Sequence, residues 1–199
     1  IGTMIIFIAM ILVAGIAASV LLQTMDGLEG QAMKTGKETM DDISSGIKVT
    51  QVTGVHRDGK ITQIALFLSP IAGSNDIDLS MITVSISDAN KNTIFSYNQS
   101  CFTETINDGL FQSINTSLLA ANEFGLVVIR DSDQSCLATN PVIDTYDIVS
   151  IVINTTKAFS GLSPRTKVQG VVSPEMGMSG TVRFTTPSCF SDRIIQLQP

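Results

Sequence analysis

The first 22 residues, Ile1–Leu22, contain no charged side chain, and most of them are Ile, Leu, Val, Met, Ala or Phe. As a helix rising 1.5 Å per residue, this run spans about 33 Å, close to the hydrocarbon thickness of a bilayer. That length argues against the core helix of a soluble domain. A cleaved secretory signal would start basic and carry a shorter apolar stretch; this run starts apolar and has no basic region. A membrane anchor fits it.

The residues that follow discriminate further. Met25, Leu28, Ala32, Gly36, Met40, Ile43 and Ile47 recur at spacings of three and four, one stripe of a helix. Asp26, Glu29, Lys34, Lys37, Glu38, Asp41 and Asp42 fall off the stripe, and no proline occurs before Pro70. The pattern predicts one helix from about Thr3 to about Gly46. A plain anchor has no need of this amphipathic extension, whereas a helix that packs on copies of itself does. Ala14 with Ala18, and Gly15 with Ser19, are small pairs that let apolar helix backbones approach closely. Gly27, Gly30 and Gly36 each cost roughly 1 kcal/mol in an isolated exposed helix. Packing in a bundle would offset that cost; a flexible hinge is the alternative. The expected packing residues are Ile5, Phe7, Ile8, Ile11, Leu12, Gly15, Ala18, Leu22 and Met25.

After the helix the texture changes. Val49–His56 and Lys60–Leu68 flank Asp58-Gly59, a two-residue hairpin signal. Further strands are expected at Leu79–Ser87, Thr93–Tyr97, Gly125–Arg130, Tyr146–Asn154, Thr166–Val172, Gly180–Thr185 and Arg193–Leu197. A short helix around Gly109–Ala121 fits the less regular stretch between them. The fold class is α+β: a long N-terminal helix (residues 1–50) followed by an antiparallel β-sandwich or barrel (residues 51–199). With no Pro- or Gly-rich linker between them, the β domain is expected to be mounted directly on the helix.

The chemistry is sparse. The net charge is −6 and no basic run occurs, so nucleic acid is not an expected partner. The single histidine, His56, sits at the hairpin tip and reads as a turn residue, not a general base. No GxGxxG, P-loop or HExxH motif occurs, and no enzyme activity is expected. Three cysteines fit one disulfide and one leftover thiol in an exported domain. All three pairings are open, with Cys101–Cys136 preferred because both lie in the middle of the chain. Asn98-Gln99-Ser100, Asn115-Thr116-Ser117 and Asn154-Thr155-Thr156 are N-glycosylation sequons. Asp131-Ser132-Asp133 and Asn75-Asp76-Ile77-Asp78 offer alternating oxygen ligands for Ca²⁺, with Asp131 and Asp133 the better pair. Neither is followed by the Gly and Glu of an EF-hand loop, so solvated turns are the favoured reading. No other cofactor is expected.

Two blocks of this sequence resemble the archaellins, the archaeal flagellins that are built like type IV pilins. The first is Ile1-Gly2-Thr3-Met4-Ile5-Ile6-Phe7-Ile8-Ala9-Met10-Ile11-Leu12-Val13-Ala14, continued by Thr35-Gly36-Lys37-Glu38-Thr39, Ser45-Gly46-Ile47 and Val52-Thr53-Gly54. The second is Ser163-Pro164-Arg165-Thr166 through Pro174-Glu175-Met176, with Phe184-Thr185-Thr186-Pro187. The resemblance implies a subunit made with a short basic leader that a prepilin-peptidase-like enzyme removes. It implies a helix that waits in the membrane, then an assembly platform and an ATPase motor that build and rotate an extracellular swimming filament. The filament would be a homopolymer or a heteropolymer with related archaellins, and N-linked glycans would cover its surface. Three competitors stand beside it: an adhesive pilin-like subunit, a membrane-anchored extracellular binding module and an exported enzyme. The anchored module predicts that Gly15→Leu leaves the protein working; the filament readings predict lost assembly.

Overall fold

The computed structural model describes residues 1–199 as two units, Ile1–Met40 and Asp41–Pro199. The long helix, α1, runs Gly2–Ser44 and none of its residues is buried. Its last turn, Asp41–Ser44, belongs to the second unit, where the Gly177 N–H donates to Asp42 Oδ1 at 2.9 Å. The helix stops at Ser44 because Ser45 and Gly46 turn into a strand: Met178 N donates to Ser45 O, and Ile47 N to Met178 O. Ile47, expected as the last member of the helical stripe, lies in the first strand and is 1% exposed.

The second unit is one nine-stranded sheet and one three-stranded sheet. In chain order the strands are β1 (Ile47–Arg57), β2 (Lys60–Pro70), β3 (Ile77–Asp78), β4 (Thr83–Ser87), β5 (Asn92–Thr103), β6 (Glu123–Arg130), β7 (Cys136–Leu137), β8 (Asn140–Ile143) and β9 (Ile148–Asn154). A one-turn helix, α2 (Thr155–Phe159), then precedes β10 (Lys167–Ser173), β11 (Gly180–Thr185) and β12 (Ile194–Gln198). The large sheet has the order β11-β10-β4-β5-β6-β9-β2-β1-β12, and β3-β8-β7 forms the small one. At the open seam, Arg183 N of β11 donates to Gln198 Oε1 of β12 at 2.9 Å, so the sheet curls into a nearly closed barrel. The Asp58-Gly59 turn joins β1 to β2 with both residues left-handed (φ 53° and 76°), the geometry a two-residue hairpin demands.

Alternation places two cores on the two faces of the sheet. Ile64, Leu66 and Leu68 of β2, Phe124, Leu126 and Val128 of β6, and Val149, Ile151 and Ile153 of β9 fill the barrel. Ala65, Val127 and Val152 point the other way, where they meet Cys101, Ile114 and Leu119. The second core follows from topology. The sheet is antiparallel except for β5–β6, which is parallel, and a parallel pair needs a crossover. Residues 104–122 supply it, crossing the outer face of the sheet.

No helix forms in that crossover, contrary to the expectation for Gly109–Ala121. Leu110, Phe111, Ile114 and Leu118 have helical spacing, but local polar side chains win the backbone. Asp108 is left-handed (φ 55°). Ser113 Oγ accepts the Asn107 N–H, and Asn115 Oδ1 accepts the Ser117 N–H. Such short side-chain-to-backbone bonds favour turns over helix. The crossover lies close to the sheet: a Cβ on Gly125 would collide with Ile114 Cδ1 and approach Cys101 O to 2.8 Å.

Candidate assembly surface and outer-face sites

The nine residues expected to pack between helices all lie on α1, at exposed positions. Ile11 is 55% exposed and Leu12 62%; Ile5, Phe7, Ile8, Leu22 and Met25 are similar. Gly15 has open space where a Cβ would stand, as do Gly27, Gly30 and Gly36, so nothing in the chain exploits these small residues. An apolar helix run that buries none of its side chains within its own chain demands lipid or other chains. Its single ion pair, Lys34–Glu38 at 3.7 Å, is exposed and contributes little.

The three sequons occupy different surroundings. Asn98 is half-buried in β5; its Nδ2 donates to Glu123 Oε2 at 2.6 Å and its Oδ1 accepts the Ser100 N–H. Glu123 also accepts the Ala120 N–H, and these two bonds, Ala120 first, hold its carboxyl below the usual range. Asn154 caps α2: its Oδ1 accepts the Lys157 N–H, and its Nδ2 donates to Thr116 O at 3.0 Å. Asn115, in contrast, is exposed, and its Nδ2 makes no hydrogen bond in the chain. The sequence offered three triplets and set only Asn154 apart, as the end of a strand; the structure makes both Asn98 and Asn154 braces. Asn154 and Gln63 both hold the Asn115 sequon in place, Gln63 Nε2 donating to Thr116 Oγ1 at 2.7 Å. Lys157 Nζ adds bonds to Ser117 O and Leu119 O. Nothing in the sequence pairs residues 63, 116 and 154.

Asp131 and Asp133 do come together, joined by Asp147, which sequence reading missed. One carboxylate oxygen from each lies within 4.8 Å of the others. The acidic turn Asp144-Thr145-Tyr146-Asp147 was the available signal, but only the β6–β9 pairing brings it beside Asp131. Asp147 is 1% exposed and accepts the Ser132 and Asp144 N–H groups. Burial foremost, with help from the Asp144 and Asp131 charges, pushes its carboxyl up. The exposed Asp133 is held low by bonds from Ser135. Asp131 accepts the Gln134 and Cys136 N–H groups. All three therefore brace turns, and their free lone pairs form an oxygen-rich corner of the kind Ca²⁺ takes. The other acidic loop, Asn75–Asp78, does not converge on any such group.

The preferred Cys101–Cys136 disulfide is not formed; all three cysteines are free thiols. Cys101 packs in the outer core and Cys136 in the barrel core, on opposite sides of the sheet. Burial, then the Asp131 charge, pushes the Cys136 thiol up to about 12, and burial raises Cys101 too. Both behave as small hydrophobes. His56 accepts the Gly59 N–H at Nε2 (3.1 Å) and stacks on Phe190 with ring centroids 4.9 Å apart, so it braces the hairpin turn.

Comparison with known proteins completes this picture. Residues 1–184 match the model of the archaeal-type flagellins. Flagellin B2 of Methanocaldococcus jannaschii is 42% identical over 100% of this chain and 93% of its own length. Among solved structures, the crystal structure of archaeal flagellin FlaB1 from the same organism superposes with a TM-score of 0.70 at 29% identity, over 77% of this chain and 97% of that one. The archaeal flagellum of Methanospirillum hungatei shares the fold over 100% of this chain and 98% of that one, with a TM-score of 0.68 at 14% identity.

Proposed function

The chain belongs to the archaeal-type flagellin family, and from that premise we propose how its two regions divide the work. It is a structural subunit of an extracellular filament for swimming motility. Polymerisation runs through α1, whose residues Ile5 to Met25 pack against α1 of neighbouring copies. Before assembly the same surface sits in the membrane. Lipid and neighbouring helices are both apolar, so transfer between them costs little, and close packing at small residues such as Gly15 and Ala18 decides the outcome. A membrane platform and an ATPase motor are the partners that drive the transfer and turn the filament. The observation that carries this reading is a 43-residue helix with no buried residue.

The β domain forms the outer surface. Asn115 is the favoured glycan acceptor, because its amide nitrogen is free and exposed. Asn98 and Asn154 take sugar only if it is added before their nitrogens are engaged. A Ca²⁺ ion at Asp131, Asp133 and Asp147 would tie the β6–β7 loop to the turn before β9.

Electron microscopy of material sheared from the source cells, with mass spectrometry of the filaments, tests this reading. Long filaments built from this chain, with sugar mass on Asn115 ahead of Asn98 and Asn154, are the expected result. A chain found only in the membrane pellet would make the anchored module the better reading.

A further inference from the structure

The outer face carries a cleft of about 390 Å³ between the crossover, the second half of β1, residues 62–67 of β2 and the start of β12. Its volume falls in the range of small-ligand sites, which combine an apolar floor with a few convergent polar groups. Here the half-buried Phe67 and Phe111 supply aromatic surface, and Arg57, Arg193, Asp108 and Gln112 stand around them. Neither guanidinium is spent within the chain: the one ion pair is Lys34–Glu38, and neither Arg57 nor Arg193 donates a side-chain hydrogen bond. The rim is nonetheless preorganised. Ser113 Oγ accepts the Asn107 N–H and lies 2.9 Å from Gly109 O, fixing the turn that bears Asp108. On the opposite side, His56 N donates to Arg193 O at 2.8 Å, holding the start of β12.

These groups suit a sugar. The C–H face of a pyranose covers an aromatic ring, while planar guanidinium, carboxylate and amide groups each meet pairs of hydroxyls. A sugar source lies beside the cleft. Gln112 is three residues from Asn115, so the chain between them spans at most about 11 Å. Gln63, which also lines the cleft, donates to Thr116 in the Asn115 sequon.

We propose that this cleft seats the first sugars of a glycan on Asn115 of the same chain. The proposal rests on the reading of Asn115 as a glycan acceptor. Seating would cover the exposed edges of Phe67 and Phe111 and clamp the crossover to β12, turning a flexible surface sugar into part of the outer wall.

Hydrogen exchange on filaments sheared from the source cells tests it, with intact mass recording the sugar on each variant. Wild type should exchange at least several-fold more slowly at 108–112 and 193–194 than Asn115→Gln. The pair Arg57→Gln with Arg193→Gln should keep the sugar mass on Asn115 and lose that protection. Wild type carrying sugar on Asn115 but exchanging like Asn115→Gln overturns the seat and leaves the acceptor reading intact. Absence of sugar mass on Asn115 overturns both. Protection that persists in the double arginine variant also overturns the seat, since the slowing then comes from the sugar elsewhere.

Discussion

The same residue types meet opposite fates in the two regions of this chain. Ile11 and Leu12 of α1 are more than half exposed, whereas Ile64 and Leu66 of β2 are fully buried. The β domain buries two apolar cores within itself, a barrel core and a second core under the crossover, and leaves only scattered apolar side chains such as Ile94 and Met178 exposed. The helix buries none of its own. One region is a finished fold and the other half of an interface, so damage to each should appear in a different assay. Stability of the domain and assembly of the filament are separable properties.

The largest effect expected is that of Ile11→Lys. A lysine at the centre of an apolar helix costs about 2.5–3.5 kcal/mol even in a bilayer, and every subunit of the filament would bear it. Filaments should vanish from the sheared fraction, while the melting of the β domain in detergent stays within about 1–2 °C of wild type, as for a surface change. Normal filament yield would break the comparison at its root. Phe124→Ala is the converse. Removing a fully buried ring should cost about 3–5 kcal/mol and lower the domain's melting temperature by about 10 °C. The helical signal of α1 in micelles should outlast the β signal in the same circular-dichroism melt. Coincident melting would mean that the two regions are one cooperative unit.

How much the sequence revealed also differs between the regions. The helix was legible because its evidence is local: an uncharged run, a stripe at spacings of three and four, and small pairs in register. It failed only at the end, where Ile47 continues the helical period but is taken by the sheet through Met178, a partner 131 residues away. The strands were legible wherever alternation and turn residues agree, as at Asp58-Gly59 and at Gly180–Thr185, which is β11 as expected. The crossover was not, because its apolar spacing imitates a helix while Ser113 and Asn115 fold it into turns. The short α2 was missed for the reverse reason, since its Asn154 cap read as the end of a strand and a sequon. The sites divide the same way. Each sequon is a local triplet, but which nitrogen is free depends on Glu123 and Thr116, whose positions only the three-dimensional fold supplies.

The smallest effect separates the two uses of the carboxylate corner. With Asp147 raised by burial, the folded chain binds its proton more tightly than the unfolded chain does. Stability contributed by that residue therefore falls as pH climbs from the ordinary carboxylate value through the raised one, and the burden persists at neutral pH. A bound Ca²⁺ would relieve it by neutralising Asp147 together with Asp131 and Asp133. For a weak extracellular site, with a Kd on the order of 10⁻⁴–10⁻³ M, about 10 mM Ca²⁺ should add roughly 1.4–2.7 kcal/mol. That corresponds to a rise of about 3–10 °C in the melting temperature at pH 7. The rise should disappear on adding EDTA, in Asp131→Asn with Asp133→Asn, and at a pH low enough to protonate Asp147. Because α1 contributes no ligand to this corner, filament yield should follow Ca²⁺ far less than domain melting does. If melting is indifferent to Ca²⁺ at pH 7, the three carboxylates are turn braces alone. If yield and melting rise together, the outer domain takes part in assembly and the separation of the two regions is incomplete.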